Sequence, residues 1–328
     1  MENKKNLTPL ICVMLSCLLM MGCDEHEIKK GPLPDKEALV EFFNTHTNDN
    51  LQMATLNAST GGSVHGDQGT VLQFGADAFL THEGDVVTGE VDIEFLEIYD
   101  RADMLFTRKP THGKMSNGDV GMLISGGEFY VNASKNGVGL KLAGGFTLIA
   151  PTAKTGGVDE DMRQFQGEVE CEGEDCDVVW AENQDRGIEM GEFQGPGGVY
   201  GAYYCFIKQF GWTNIDRWFS DPRDKTTIFV TVPEGFDNSN CAVFIAYEGE
   251  PTALGRFDRF DELSGKFTEH YGLIPIGLKV HIILVSIIEE EIHYAIKSAT
   301  ISENHEEVFE AVESISEEEL ANIINELP

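Results

Sequence analysis

From Gly61 to Ile301 the chain is broken roughly every eight to twelve residues by glycine or another turn former, with short apolar runs between. That rhythm restricts it to packed β-sheets. Glu90 to Tyr99 alternates well. Val91, Ile93, Phe95 and Glu97 fall on one face, and Asp92, Glu94 and Leu96 on the other. Thr70–Phe74, Met104–Thr107, Val138–Leu142 and Phe146–Ile149 read as further strands. Gly121–Ala133 reads as two strands meeting at a turn or bulge made by Gly126-Gly127. The later strands are Val178–Trp180, Tyr200–Phe210, Thr226–Val232 and Cys241–Tyr247, followed by a hairpin of Leu278–Ile288 and Ile292–Ile301 bent at Glu289–Glu291.

Two helices flank this pattern. Asp35 caps a short N-terminal helix carrying Leu39, Phe42 and Phe43. Ser316 and Glu319 form a capping box for a C-terminal helix with Leu320, Ile323, Ile324 and Leu327 on one face. The expected fold is therefore mainly β, with two β-sandwich-like domains, a short N-terminal helix and a C-terminal capping helix. The expected divisions are a signal at 1–22, a tether, helix and linker at 23–60, and a first sandwich at 61–150. A connecting region at 151–197 leads to a second β-rich domain at 198–328.

The first residues carry an address. Lys4 and Lys5 precede an apolar run from Leu7 to Met21, which Gly22-Cys23 closes before Asp24, Glu25, His26 and Glu27. The run has the length of a signal-peptide core and is too short for a membrane span. It resembles a bacterial lipoprotein signal, with lipid on the Cys23 sulfur. Cys17 also follows a small residue, but cleavage there would leave Leu18–Met21 exposed. The acidic tether resembles that of Bacteroidetes-type lipoproteins exported to the cell surface. The resemblance implies an outer-membrane lipid anchor, with palmitate among the acyl groups.

A net charge of −33 excludes nucleic acid as a partner, because phosphate binding needs a basic footprint. Membrane contact is expected through the lipid alone, and a protein or glycan in the envelope is the expected partner. Four cysteines lie beyond Cys23. In an exported chain Cys171, Cys176, Cys205 and Cys241 read as disulfides, most simply Cys171–Cys176 and Cys205–Cys241. Their spacing lacks a zinc-ligand pattern, so no metal and no cofactor are expected. Calcium is weighed only at the oxygen-rich loops 48–50, 159–161 and 237–240, none of which has EF-hand register.

Catalytic signatures are missing: there is no nucleophile elbow around Ser125, no H-E-x-x-H at His305, and no phosphate-binding glycine loop. The expectation is a chain that is not an enzyme. Phe210–Phe219 is the densest constellation, with Trp212, Asn214, Asp216, Arg217 and Trp218 together. Exposed, those residues would suit a sugar or peptide; buried, they would be core.

Gly69–Phe74, Ala78-Phe79, Gly89–Ile98 and Gly126–Val131 resemble the ZU5-like β-sandwich in order and character. That resemblance implies a protein-interaction module. The His-Phe-Ser self-cleavage site of some ZU5 modules is missing. The whole chain also resembles Bacteroidetes-type envelope lipoproteins. The expected function is a membrane-anchored, non-enzymatic binding or structural module. The alternative is a glycan-binding accessory or hydrolase with an aromatic cleft near Trp212 and Trp218.

Overall fold

Cys241–Tyr247 and Lys279–Ile288, the most apolar runs in the second half, pair side by side at the centre of one sheet. Their residues alternate between two cores. Val243, Ile245, Ile282 and Leu284 face one, while Ala242, Phe244, Ile283 and Val285 face the other. A strand covered on both sides has no polar face to show, so it reads as a continuous apolar run. Truncating Phe244, fully buried in this arrangement, removes about 3–5 kcal/mol of packing.

The computed structural model describes residues 32–172, 175–184, 187–195 and 198–328. Cys23 and the signal-like segment lie outside the described residues. The chain from Pro32 to Pro328 forms one unit that is mainly β. Among the described residues, four larger sheets stack in it, beside a two-stranded one of Phe79–Leu80 and Lys141–Leu142. Sheet 1 runs Glu189–Gly195, Gly198–Ile207, Phe146–Pro151, Val71–Phe74 and Gly62–His65. Sheet 2 contains Gln52–Asn57, Glu90–Ile98, Val120–Lys135, Gly211–Trp218, Arg163–Glu172, Asp175–Glu182 and His112–Lys114. Sheet 3 holds the two central strands with Gly255–Arg256, Glu291–Thr300 and Glu313–Ile315. Sheet 4 runs Arg259–Asp261, Lys266–Pro275, Lys225–Thr231 and His305–Val308.

Leu72, Phe74, Ile93, Phe95, Phe129 and Leu148 fill the space between sheets 1 and 2. Ile228, Val230, Val243, Phe267 and Ile282 fill that between sheets 3 and 4. Between sheets 2 and 3 lie three helices: α1 (Lys36–Asp49), α2 (Arg101–Phe106) and α3 (Glu317–Asn325). Asp35 caps α1 by accepting from the Ala38 amide at 3.0 Å. Ser316 Oγ accepts from the Glu319 amide at 3.3 Å, the N-cap half of the expected capping box, and the Glu319 carboxylate returns to the Ser316 hydroxyl, which donates to Oε2 at 2.8 Å, rather than to the Ser316 amide. Among the described residues, no helix is long and apolar enough to cross a membrane.

Four expectations change. Met104–Thr107 is not a strand. Asp100 accepts from the Asp103 amide at 3.0 Å and starts α2 there, since a short apolar run carries no period of its own. The supposed linker at 44–60 holds the end of α1 and the edge strand Gln52–Asn57, which pairs with Glu90–Ile98. Residues 151–197 are no connector. Arg163–Glu172 and Asp175–Glu182 extend sheet 2, and Glu189–Gly195 extends sheet 1. Gly198–Trp218 likewise completes the first pair of sheets, so the change of partner comes after Trp218, well beyond the expected boundary at 198.

The expected Cys205–Cys241 disulfide is absent. Both thiols are free and buried. Cys205 belongs to the core between sheets 1 and 2, and Cys241 to that between sheets 3 and 4. Two cysteines in different cores cannot meet at bonding distance. Burial pushes the Cys205 thiol up to about 12 and that of Cys241 higher still. Cys171 and Cys176 are register partners across a hairpin; their side chains lie outside the described residues.

The central hairpin matches the sequence reading, with Lys279–Ile288 pairing with Glu291–Thr300. Its two-residue turn puts Glu289 at φ 51° and Glu290 at φ 66°. Side chains resist that left-handed region, whereas Asn-Gly accepts it readily. Glu289→Asn with Glu290→Gly should raise stability by about 1 kcal/mol in urea unfolding. An unchanged midpoint would show that the turn carries no such strain.

Candidate functional site

Phe210–Phe219 folds largely as the strand Gly211–Trp218, in the middle of sheet 2. Around it the pairings of sheet 2 close on themselves. Val120–Lys135 pairs with Gly211–Trp218, which pairs with Arg163–Glu172, which pairs with Asp175–Glu182. That last strand runs parallel to His112–Lys114, which returns to Val120–Lys135. Five strands thus form a small ring.

The ring is filled by indoles. Leu123, Phe165, Val178 and Trp180 are buried inside it, with Trp212 and Trp218 half-buried against them. Trp180 stands edge-on to Trp212 with centroids 6.2 Å apart, and Phe165 stands edge-on to Trp218 at 5.7 Å. All three tryptophans of the chain are therefore here. Glycines make the room. A Cβ on Gly113 would stand 2.6 Å from Trp218 Cη2, and one on Gly167 would stand 2.8 Å from Val178 Cγ1 and overlap Trp212 Cβ. Trp180 Nε1 donates to the Pro110 carbonyl at 3.0 Å.

On the same face lies a polar cluster. Asn214 and Asp216 are wholly buried, and Asn214 Nδ2 donates to Asp216 Oδ2 at 2.6 Å. The cross-strand partner of Asn214 is Glu128, also wholly buried. The register jumps between Asn214 and Asp216, so Gly126 and Gly127 together oppose Ile215. This is a β-bulge, and Gly127 takes φ 129° to make it. The bulge turns Ser125 and Glu128 to the same side, toward Asp216. Burial pushes both carboxyls well above the usual range. The charge of Asp216 raises Glu128 further, and the Lys109 ammonium opposes that. Asn214, Ser125 and the Gly126 amide favour a charged Asp216.

The five residues singled out from sequence therefore do not form one open cleft. Trp212, Asn214, Asp216 and Trp218 face the ring interior. Arg217 faces the other way and binds Asp159 at 2.7 Å and Glu250 at 3.2 Å. Sequence reasoning missed Glu128. A lone carboxylate in the apolar run Gly121–Val131, directly after Gly-Gly, was the signal that could have found it.

Two concave surfaces adjoin the ring. An open groove of about 840 Å³ is lined by Trp218, Lys114, Asn117, Glu182 and Gln184, and Trp218 Nε1 donates to Glu182 at 3.0 Å. A smaller pocket of about 100 Å³ lies where His112 and Met122 meet Arg256, Glu269 and Tyr271. Burial raises Glu269 to about 7, although the amides of Tyr271 and Gly272 donate to it at 3.1 and 3.2 Å. His112 Nε2 accepts from the Arg256 amide at 3.0 Å, which makes that nitrogen the unprotonated one.

The loops weighed for calcium use their oxygens on themselves. Asp237 Oδ1 accepts from the amide and hydroxyl of Ser239 at 2.8 and 2.6 Å, and Asp159 accepts from the Asp161 amide at 2.9 Å. Such bonds are what Asp and Asn do in turns. Asn50 is the C-cap of α1. Among the described residues, no three His, Cys, Asp or Glu side chains converge as ligands. No family model matches the chain, and no curated protein matches it either.

Proposed function

We propose that this chain is a lipid-anchored binding protein of a bacterial outer membrane, with no catalytic step of its own. The observation that carries this reading is the order of its N-terminal parts. Lys4-Lys5, an apolar run, Gly22-Cys23 and an acidic tether lead directly to a folded unit that begins at Pro32. A lipid on Cys23 would hold that unit close to the membrane, while its net charge of −33 keeps anionic headgroups at a distance. Binding partners then meet the sheets and grooves rather than the bilayer.

Metabolic labelling with a palmitate analogue, followed by protease treatment of intact cells, tests the anchor. Label on the wild type and none on Cys23→Ala is the expected result. Access of protease to the protein in whole cells would put it on the outer surface. Equal labelling of both proteins would sink the reading.

One observation favours a glycan as ligand. The groove beside Trp218 combines an indole with the carboxylate of Glu182, the amides of Asn117 and Gln184, and the Lys114 ammonium. An aromatic surface rimmed by such groups can stack on a sugar ring and bond its hydroxyls.

A further inference from the structure

The bulge in the five-stranded ring gathers more acceptors than donors. Glu128, Asn214 and Asp216 are all 0 % exposed. Glu128 Oε1, Glu128 Oε2, Asp216 Oδ1 and Asn214 Oδ1 accept no hydrogen bond from any protein group. Buried polar atoms are nearly always paired, and four unpaired oxygens on adjacent strand positions are a large departure. All four are acceptors as drawn. The Asn214 amide is already oriented by its bond to Asp216, which leaves its carbonyl oxygen as the unpartnered end. Lys109, whose charge acts on Glu128, donates to the Thr107 carbonyl at 3.0 Å and lies over the Trp212 ring.

We propose that Glu128, Asn214 and Asp216 bind a calcium ion inside the ring. Hard oxygen donors of this kind suit Ca²⁺, Mg²⁺ or Na⁺. The two carboxylates match the charge of a divalent ion. Mg²⁺ keeps several waters, and a wholly buried cluster has little room for them, whereas Ca²⁺ accepts carboxylate and carbonyl oxygens in flexible number. Protons held on both carboxyls would pair these oxygens with one another, but only by discharging Glu128 and Asp216. A calcium ion pairs all four at once while both carboxylates keep their charge. The Gly126-Gly127 bulge fits this role, because it is what turns Glu128 onto the face of Asp216. The site is independent of the anchor and of the Trp218 groove.

The ring also supplies its own reporter. Tryptophan sensitises terbium luminescence, and all three tryptophans stand in this ring. The full chain is unfolded and refolded in EDTA or in CaCl₂, because a buried ion enters most readily during folding. Bound calcium is counted by elemental analysis after gel filtration, and Tb³⁺ is titrated into the EDTA-refolded chain with excitation at the indoles. The expected result is one retained calcium per chain, a higher melting temperature after refolding in calcium, and saturable luminescence that calcium displaces. In Glu128→Gln and Asp216→Asn the affinity should fall by about two orders of magnitude, the scale on which ligand charge count tunes calcium sites. Near-UV circular dichroism of the indoles confirms that each variant is folded. Should a variant fail to fold, the stoichiometry of the wild type decides alone. Absence of retained calcium in the wild type overturns the proposal. So does luminescence that persists in both folded variants, which would belong to surface carboxylates. Variants that melt higher than the wild type with or without EDTA would show that the cluster holds protons only.

Discussion

Replacing Arg101 by Ala is expected to cost about 3–5 kcal/mol and lower the melting temperature by roughly 10 °C. Arg101 is 1 % exposed at the start of α2. Its Nη1 donates to the Leu327 carbonyl at 2.9 Å, and its Nη2 donates to those of Tyr247 and Glu250, both at 2.8 Å. One guanidinium thus joins three elements distant in sequence: α2, the tail after α3, and the turn that follows a central strand of sheet 3. Beside it the Ala102 amide donates to Asn325 Oδ1 at 3.0 Å. Burial lowers Arg101 to about 10, with the charge of Glu250 opposing, so it stays charged at neutral pH. Alanine would leave three carbonyls without their donor and open a space in the helical layer. Lysine keeps the charge but has no planar fork, so Arg101→Lys should fall between wild type and Arg101→Ala. Chemical denaturation of the three proteins gives the ranking. A loss below about 1 kcal/mol for Arg101→Ala would mean that water replaces the guanidinium and that the helices do not depend on this latch.

Gly167→Ala is expected to cost about 3 kcal/mol, and more than Gly113→Ala. The added methyl at Gly167 would overlap Trp212 Cβ and come within 2.8 Å of Val178 Cγ1 and 3.0 Å of Trp180 Cζ3. Trp212 Cβ is fixed to its own backbone, so a strand has to move. At Gly113 the obstacles are side-chain ends rather than an atom fixed to backbone: the far end of the Trp218 ring at 2.6 Å and Leu123 Cδ2 at 2.8 Å. That ring borders the open groove and can tilt outward. Near-UV circular dichroism and thermal melting measure both effects, because every indole of the chain lies in the ring. A reversed order, with Gly113→Ala the worse, would show that the Trp218 side of the ring is the more tightly packed one.

The strands and both helix caps were legible because their causes are local. Alternation in Glu90–Tyr99 predicted the inward row Val91, Ile93 and Phe95, and that row packs in the first core. Glu97 ends the row as a buried carboxylate that accepts from the amides of Gln68 and Thr70, both at 2.9 Å. Gly126-Gly127 announced a turn or bulge between two strands; the structure has the bulge, within one continuous strand Val120–Lys135. The cysteines misled because an even count says nothing about distance, and Cys205 and Cys241 ended in separate cores. Met104–Thr107 misled because four residues cannot distinguish helix from strand.

The sequence by itself determined that this chain is mainly β, where most of its strands run, and how its first and last helices begin. Periodicity and capping act over a few residues, so they are written in the order of the side chains. Tertiary structure alone decided that the strands from Arg163 to Trp218 join the first two sheets, that three of them close a ring with His112–Lys114 and Val120–Lys135 around three indoles, and that Glu128 meets Asp216. Which strand pairs with which depends on non-local burial and on one glycine bulge. A shift of one residue there would turn Glu128 to the opposite face.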